Sequence, residues 1–127
     1  MNFLTAVATC FNQYVTFSGR AIRSEYWYFV LFMILGQMVL MIVDGALFPT
    51  LPVQPLSTIL TLITIPPSIA VTARRLHDID KSGWWQLLWC LPLIGWVVMI
   101  VWLVKPGTAS SNRFGSDPLG VRVAVPA

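Results

Sequence analysis

The chain has 127 residues, 57% of them hydrophobic and only 10% charged, with eight Lys and Arg against five Asp and Glu. A soluble domain carries roughly a quarter of its residues as charges, and a small one has the most surface to cover for its volume. With a mean hydropathy of +0.75, the composition excludes a water-soluble domain, a disordered chain, a coiled coil and a collagenous repeat, and leaves an integral membrane protein, which its helical stretches make all-α.

In chain order, the first element is an amphipathic helix over residues 2–17. At about 100° per residue, Phe3, Leu4, Val7, Ala8, Cys10, Phe11, Tyr14 and Val15 share one side. Asn2, Thr5, Thr9, Asn12, Gln13 and Thr16 share the other. Lacking Lys and Arg, such a helix lies in the membrane interface by apolar burial, with packing against the bundle as the alternative. It is not read as a signal peptide, because no basic start precedes it and Asn12 and Gln13 interrupt it. Val7-Ala8-Thr9-Cys10 matches a lipoprotein cleavage site too poorly to be read as one. Ser18-Gly19 then turns the chain towards the bilayer.

A hydrocarbon core of about 30 Å takes about 20 helical residues. Three stretches qualify: 26–48, 56–73 and 84–104. Tyr26, Trp27, Tyr28, Trp84, Trp85 and Trp102 stand at their ends as interfacial anchors. In a continuous helix Trp84 and Trp102 would lie about 27 Å apart, at opposite faces of the membrane. The loop between the first two spans carries Pro49, Pro52 and Pro55, a stiff uncharged hairpin rather than a polyproline ligand. A polar tail covers 105–127. The whole is one membrane domain, without internal repeats. Three spans put Arg20, Arg23, Arg74, Arg75 and Lys81 on one side and Lys105, Arg113 and Arg122 on the other. That five-to-three balance predicts a cytoplasmic N-terminus and an exterior tail. In a rival topology, Pro92 and Gly95 break the third segment into two half-length helices that return to one face.

Two polar clusters carry the candidate chemistry. Arg74, Arg75, His77 and Asp78 with Lys81 form the denser one; Arg20, Arg23 and Glu25 form the other, on the same face. Arginine forks suit lipid phosphates, Asp78 can orient an imidazole or pair with an arginine, and Glu25 is a natural partner for Arg74 or Arg75. Ser82 is placed to cap the third helix, with Gly83 allowing the turn. One histidine with scattered carboxylates does not make a metal hydrolase site, so neither metal nor cofactor is expected and no catalytic residue is assigned. Cys10 and Cys90, far apart and without nearby ligands, read as inert apolar side chains. Within the membrane, Gln37 and Asp44 share a face of the first span, and an intramembrane acid is a candidate for transport or proton transfer. Ser57, Thr58, Thr61, Thr64, Ser68 and Thr72 stripe the second span, positioned to knit helices together and to satisfy carbonyls freed by Pro66 and Pro67.

The motif series Phe17-Ser18-Gly19-Arg20, Glu25-Tyr26-Trp27, Arg74-Arg75-Leu76-His77-Asp78, Lys81-Ser82-Gly83-Trp84-Trp85, Leu91-Pro92-Leu93-Ile94-Gly95, Pro106-Gly107-Thr108 and Asn112-Arg113-Phe114-Gly115 with Asp117-Pro118 resembles the YhaH-type small inner-membrane proteins of bacteria, domain of unknown function 805. The resemblance covers roughly 14–118. It implies a multi-pass protein of the bacterial inner membrane in a family without an established activity. The expected role is a non-enzymatic membrane component that contacts anionic lipid or a protein partner, a second copy included, through its cytoplasmic basic clusters, with no nucleic acid involved. The alternatives are a small oligomeric transporter or channel, and a lipid-headgroup enzyme using His77.

Overall fold

Asn2 opens the first helix: its Oδ1 accepts from the Thr5 backbone N–H at 2.8 Å, satisfying a donor that a helix N-terminus leaves without a partner. The resulting α1 covers Phe3–Asn12 in a computed structural model that describes residues 2–118. The expected tail 105–127 is thus described only to Pro118, and Arg122 lies outside the described residues. Rather than lying free at a surface, α1 packs on its neighbours. Ala6 and Cys10 are fully buried, and Phe11 meets Phe29 and Phe32 edge-on at 5.8 and 5.7 Å. Leu4 and Val15, grouped on the apolar side by periodicity, point outward. The small Ala6 lets the helix approach closely.

Helices α2 (Arg23–Leu47) and α3 (Pro55–Asp78) form an antiparallel pair. Gln37 Nε2 donates to Thr61 Oγ1 at 2.6 Å, Ser68 Oγ to the Met33 sulfur at 3.0 Å, and Arg74 pairs with Glu25 at 2.8 Å, which fixes the register. Both helices are long and apolar enough to cross a membrane. Their polarity is inside out: Asp44, Ser57, Thr64 and Thr72 are buried, while Met38, Val39 and Ile42 are 57%, 58% and 73% exposed. An exposed apolar band of this kind is costly in water and suited to lipid.

Pro66 and Pro67 sit inside α3. A helical proline leaves the carbonyl four residues earlier without its amide donor. The Ile63 carbonyl, freed by Pro67, accepts instead from the Tyr14 hydroxyl at 2.5 Å. The donor therefore comes from the chain following α1, not from the threonine stripe. Thr61, Thr64 and Thr72 spend their hydroxyls on the carbonyls of Ser57, Leu60 and Ser68, one turn back in their own helix.

The third apolar segment is not one continuous helix. Gly83–Cys90 is a 3₁₀ helix, with Ser82 as its cap, and α4 covers only Ile94–Val104. Between them Leu93 has φ 65 and ψ −72, and the Ile94 N–H donates to the Pro92 carbonyl at 2.8 Å. This is a γ-turn of the strained, positive-φ kind. At Gly95 a Cβ would lie 1.9 Å from the Leu88 carbonyl oxygen, so only glycine allows the two arms to close. They do close. The rings of Trp85 and Trp102 meet edge-on with centroids 5.6 Å apart, where a continuous helix would hold those residues about 25 Å apart. Trp102 therefore shares an end of the bundle with the start of the segment, which corrects the reading of Trp84 and Trp102 as opposite anchors.

Candidate functional site

The last turns of α3 are where the chain concentrates charge in a dry place. Arg74, Arg75, His77 and Asp78 are all buried, as is Glu25 at the start of α2. Burying charges costs several kcal/mol each unless they are paired and hydrogen-bonded, so their partners decide what the cluster can do.

Arg75 is spent on the end of α4. Its Nε donates to the Leu103 carbonyl at 3.2 Å, one terminal nitrogen reaches the Lys105 carbonyl, and the other pairs with Asp78 Oδ2 at 3.0 Å. The Trp27 indole N–H also donates to Leu103 O at 3.1 Å, and Arg23 to Val104 O at 3.2 Å. The last carbonyls of a helix lack intrahelical donors and carry partial negative charge. Three side chains from α2 and α3 supply the donors here, two of them cationic.

Asp78 ties the tail to the same place. Its carboxylate bridges Arg75 and Arg20, the latter at 2.9 Å, and its carbonyl accepts from the Thr108 N–H at 2.7 Å. A Cβ at Gly107 would fall 2.0 Å from Asp78 Oδ2, so the Pro106-Gly107-Thr108 backbone lies directly against the carboxylate. The Arg20 guanidinium continues into the tail, donating to the carbonyls of Thr108 and Ser110. Arg74 pairs with Glu25 and donates to Thr16 O at 3.2 Å. Against this pair lies Cys10, whose thiol is pushed up to about 12, first by burial and then by the Glu25 charge, and is therefore unreactive at neutral pH.

His77 is fixed without help from Asp78. Its Nδ1 lies 2.9 Å from the Gly19 carbonyl, and its ring stacks on Phe114 with centroids 4.0 Å apart and planes 2° from parallel. Its backbone carbonyl accepts from Asn112 Nδ2 at 2.9 Å. Lys81 stands over the Trp102 ring, its Nζ 4.9 Å from the centroid. Arg113 pairs with Asp80 at 3.2 Å in the open, 66% and 45% of the side chains being exposed.

The two polar clusters therefore meet as one node, joined by Arg20–Asp78 and Arg74–Glu25. Gln37 and Asp44 lie elsewhere. Asp44 sits at the far end of α2, where its two oxygens accept from the Leu56 and Ser57 N–H groups at 3.0 Å each and from the Ser57 hydroxyl at 2.9 Å. It caps α3 from a neighbouring helix. Residue chemistry alone pointed to the arginines and Asp78, but not to Trp27, Gly107 and the α4 carbonyls. The Pro106-Gly107-Thr108 and Asn112-Arg113-Phe114-Gly115 motifs were the available signal, since segments this polar and specific pack against something.

Residues 14–116 match the family described as "Protein of unknown function (DUF805)". The chain is 45% identical over 107 residues to inner membrane protein YhaI of Escherichia coli (strain K12), covering 84% of this chain and 89% of that one. It is also 45% identical over 109 residues to inner membrane protein YhaH of the same strain, covering 84% and 90%. Uncharacterized protein YiiR, again from that strain, is 30% identical over 93 residues, covering 72% of this chain and 60% of the relative. No solved structure matches the chain.

Proposed function

The chain belongs to the DUF805 family of proteins of unknown function, and from that membership and the geometry above we propose that it is a non-enzymatic component of the bacterial inner membrane. In this reading α2 and α3 span the bilayer, and the third apolar segment dips into one leaflet and returns. One observation carries it. Arg20, Arg23, Arg74, Arg75, Lys81, Lys105 and Arg113, every Lys and Arg among the described residues, gather at one end of the α2–α3 pair, and the loop at the other end has none. Seven against none replaces the five-to-three balance of a three-span topology. By the positive-inside rule the basic end, with the tail to Pro118, is cytoplasmic.

The node supports a structural role. Arg20, Arg74 and Arg75 spend their charge on Glu25, Asp78 and backbone carbonyls, which leaves Arg23, Lys81, Lys105 and Arg113 as the cations able to meet anionic headgroups. Both alternatives lose their main support. Asp44 is occupied as a helix cap, and Asp78 is held by two arginines, so it does not orient His77 for catalysis. The test is lipid retention by the purified chain in nanodiscs of mixed phosphatidylethanolamine and phosphatidylglycerol. The anionic lipid should be enriched at low salt, and Lys105→Gln with Arg113→Gln should weaken that by about 1 kcal/mol per charge. Equal retention of both lipids at every salt concentration would contradict the proposal.

A further inference from the structure

Beside His77 lies a cavity of about 340 Å³, within the size range of small-ligand sites. Its polar end is made by His77, Ser82 and Gln86, and its apolar remainder by Phe17, Ile69 and Trp84. Ile69 lies eight residues back along α3, so the apolar part extends about 12 Å from the charged end towards the middle of the helix. The exposed side chains of Phe17, Ile69 and Trp84 leave it open to the surroundings.

The chemistry at the polar end follows from the tautomer. A carbonyl can only accept, so the His77 nitrogen facing Gly19 carries the proton, and in the neutral ring Nε2 keeps its lone pair. The stack on Phe114 holds the ring in that orientation. Nε2 faces Gly83, where a Cβ would stand 3.5 Å away, and no hydrogen bond to Nε2 is formed among the described residues. A lone pair held at the rim of a half-apolar cavity calls for a donor on the ligand. The Arg113 charge, which acts on the imidazole, and Lys81, next to Ser82 in the chain, disfavour an ammonium there and favour a hydroxyl carried by an anion.

We propose that this cavity holds the headgroup of a hydroxylated anionic phospholipid, phosphatidylglycerol, with His77 Nε2 accepting from the headgroup hydroxyl and the first acyl methylenes lying along Ile69 and Trp84. The assignment rests on the topology proposed above, which brings the basic end to the level of the cytoplasmic headgroups.

The test compares phosphatidylglycerol with phosphatidylethanol, which has the same charge and no headgroup hydroxyl, both supplied to the full chain in phosphatidylethanolamine nanodiscs and counted by native mass spectrometry. The wild type should prefer phosphatidylglycerol by about three- to tenfold, the range of one hydrogen bond. His77→Asn keeps an N–H for Gly19 and removes Nε2, so the preference should fall to unity while both lipids remain bound. Ile69→Trp fills the apolar half from its exposed side and should abolish the preference by displacing both lipids. A wild type without preference overturns the proposal, as does a preference that survives either variant. Equal competition by water-soluble glycerophosphoglycerol would also overturn it, by making the ligand a free solute. Poor retention of both anionic lipids relative to phosphatidylethanolamine would count against the electrostatic reading above, whereas the glycerol-over-ethanol ratio is independent of charge.

Discussion

Arg75 meets three acceptors on two elements with one planar group: the Leu103 and Lys105 carbonyls and the Asp78 carboxylate. A lysine ammonium keeps the charge but cannot span that fork, so Arg75→Lys should cost about 1–3 kcal/mol even though Trp27 still donates to the Leu103 carbonyl and Arg20 still pairs with Asp78. Arg113→Ala breaks an exposed pair and should cost about 1 kcal/mol at most. Unfolding of both variants in denaturing detergent decides the matter, and equal losses would contradict the assignment of Arg75. At the opposite end, Asp44→Ala removes the cap of α3 and should cost about 1–2 kcal/mol, with Asp44→Asn costing less because it keeps an acceptor. Unchanged stability of Asp44→Ala would return the acid to the list of functional candidates. These residues differ in how far the sequence reveals them. Glu25 and Arg74 are opposite charges on one predicted face, and they pair. Asp44 has backbone amides as partners, across a proline loop, and nothing in its own surroundings along the chain marks it as a cap.

At the level of elements, α2 and α3 were readable because length and hydropathy suffice to mark a helix able to span a membrane. The third segment was not. A continuous helix and a closed hairpin have the same composition, and the choice is made by Pro92, by Leu93 in a left-handed conformation, and by Gly95 against the Leu88 carbonyl. The hairpin can be tested in both directions. Leu93→Gly removes the penalty of a side chain at positive φ, and should stabilise the fold by about 1 kcal/mol. Gly95→Val drives a side chain into the Leu88 carbonyl and should destabilise it by more than the usual cost of a single substitution. The reverse ranking in unfolding experiments would favour a straight helix. Helix α1 was only half readable for a related reason. Its periodicity marked an apolar side, but that side is wider than the face that packs, and the small Ala6 rather than Leu4 lies in the contact.

In the whole molecule, segments scattered along the sequence converge on one end. The chain after α1, the start of α2, the end of α3, the end of α4 and the tail as far as Gly115 are joined there by Arg20, Arg74, Arg75, Asp78 and His77. The motif series that runs the length of the chain is therefore largely one three-dimensional unit, with Leu91-Pro92-Leu93-Ile94-Gly95 apart from it at the tip of the hairpin. Its central consequence is topological: in the proposed arrangement the tail lies at the same membrane face as the start of α2, and the proline loop lies at the other. Thiol labelling from the two sides of the membrane tests this most directly, using single-cysteine chains with Ser111→Cys or Thr50→Cys in a background where Cys10 and Cys90 are alanine. An impermeant maleimide applied to intact spheroplasts should label position 50 at once and position 111 only after permeabilisation. Labelling of position 111 from the outside would restore the three-span topology and contradict the hairpin.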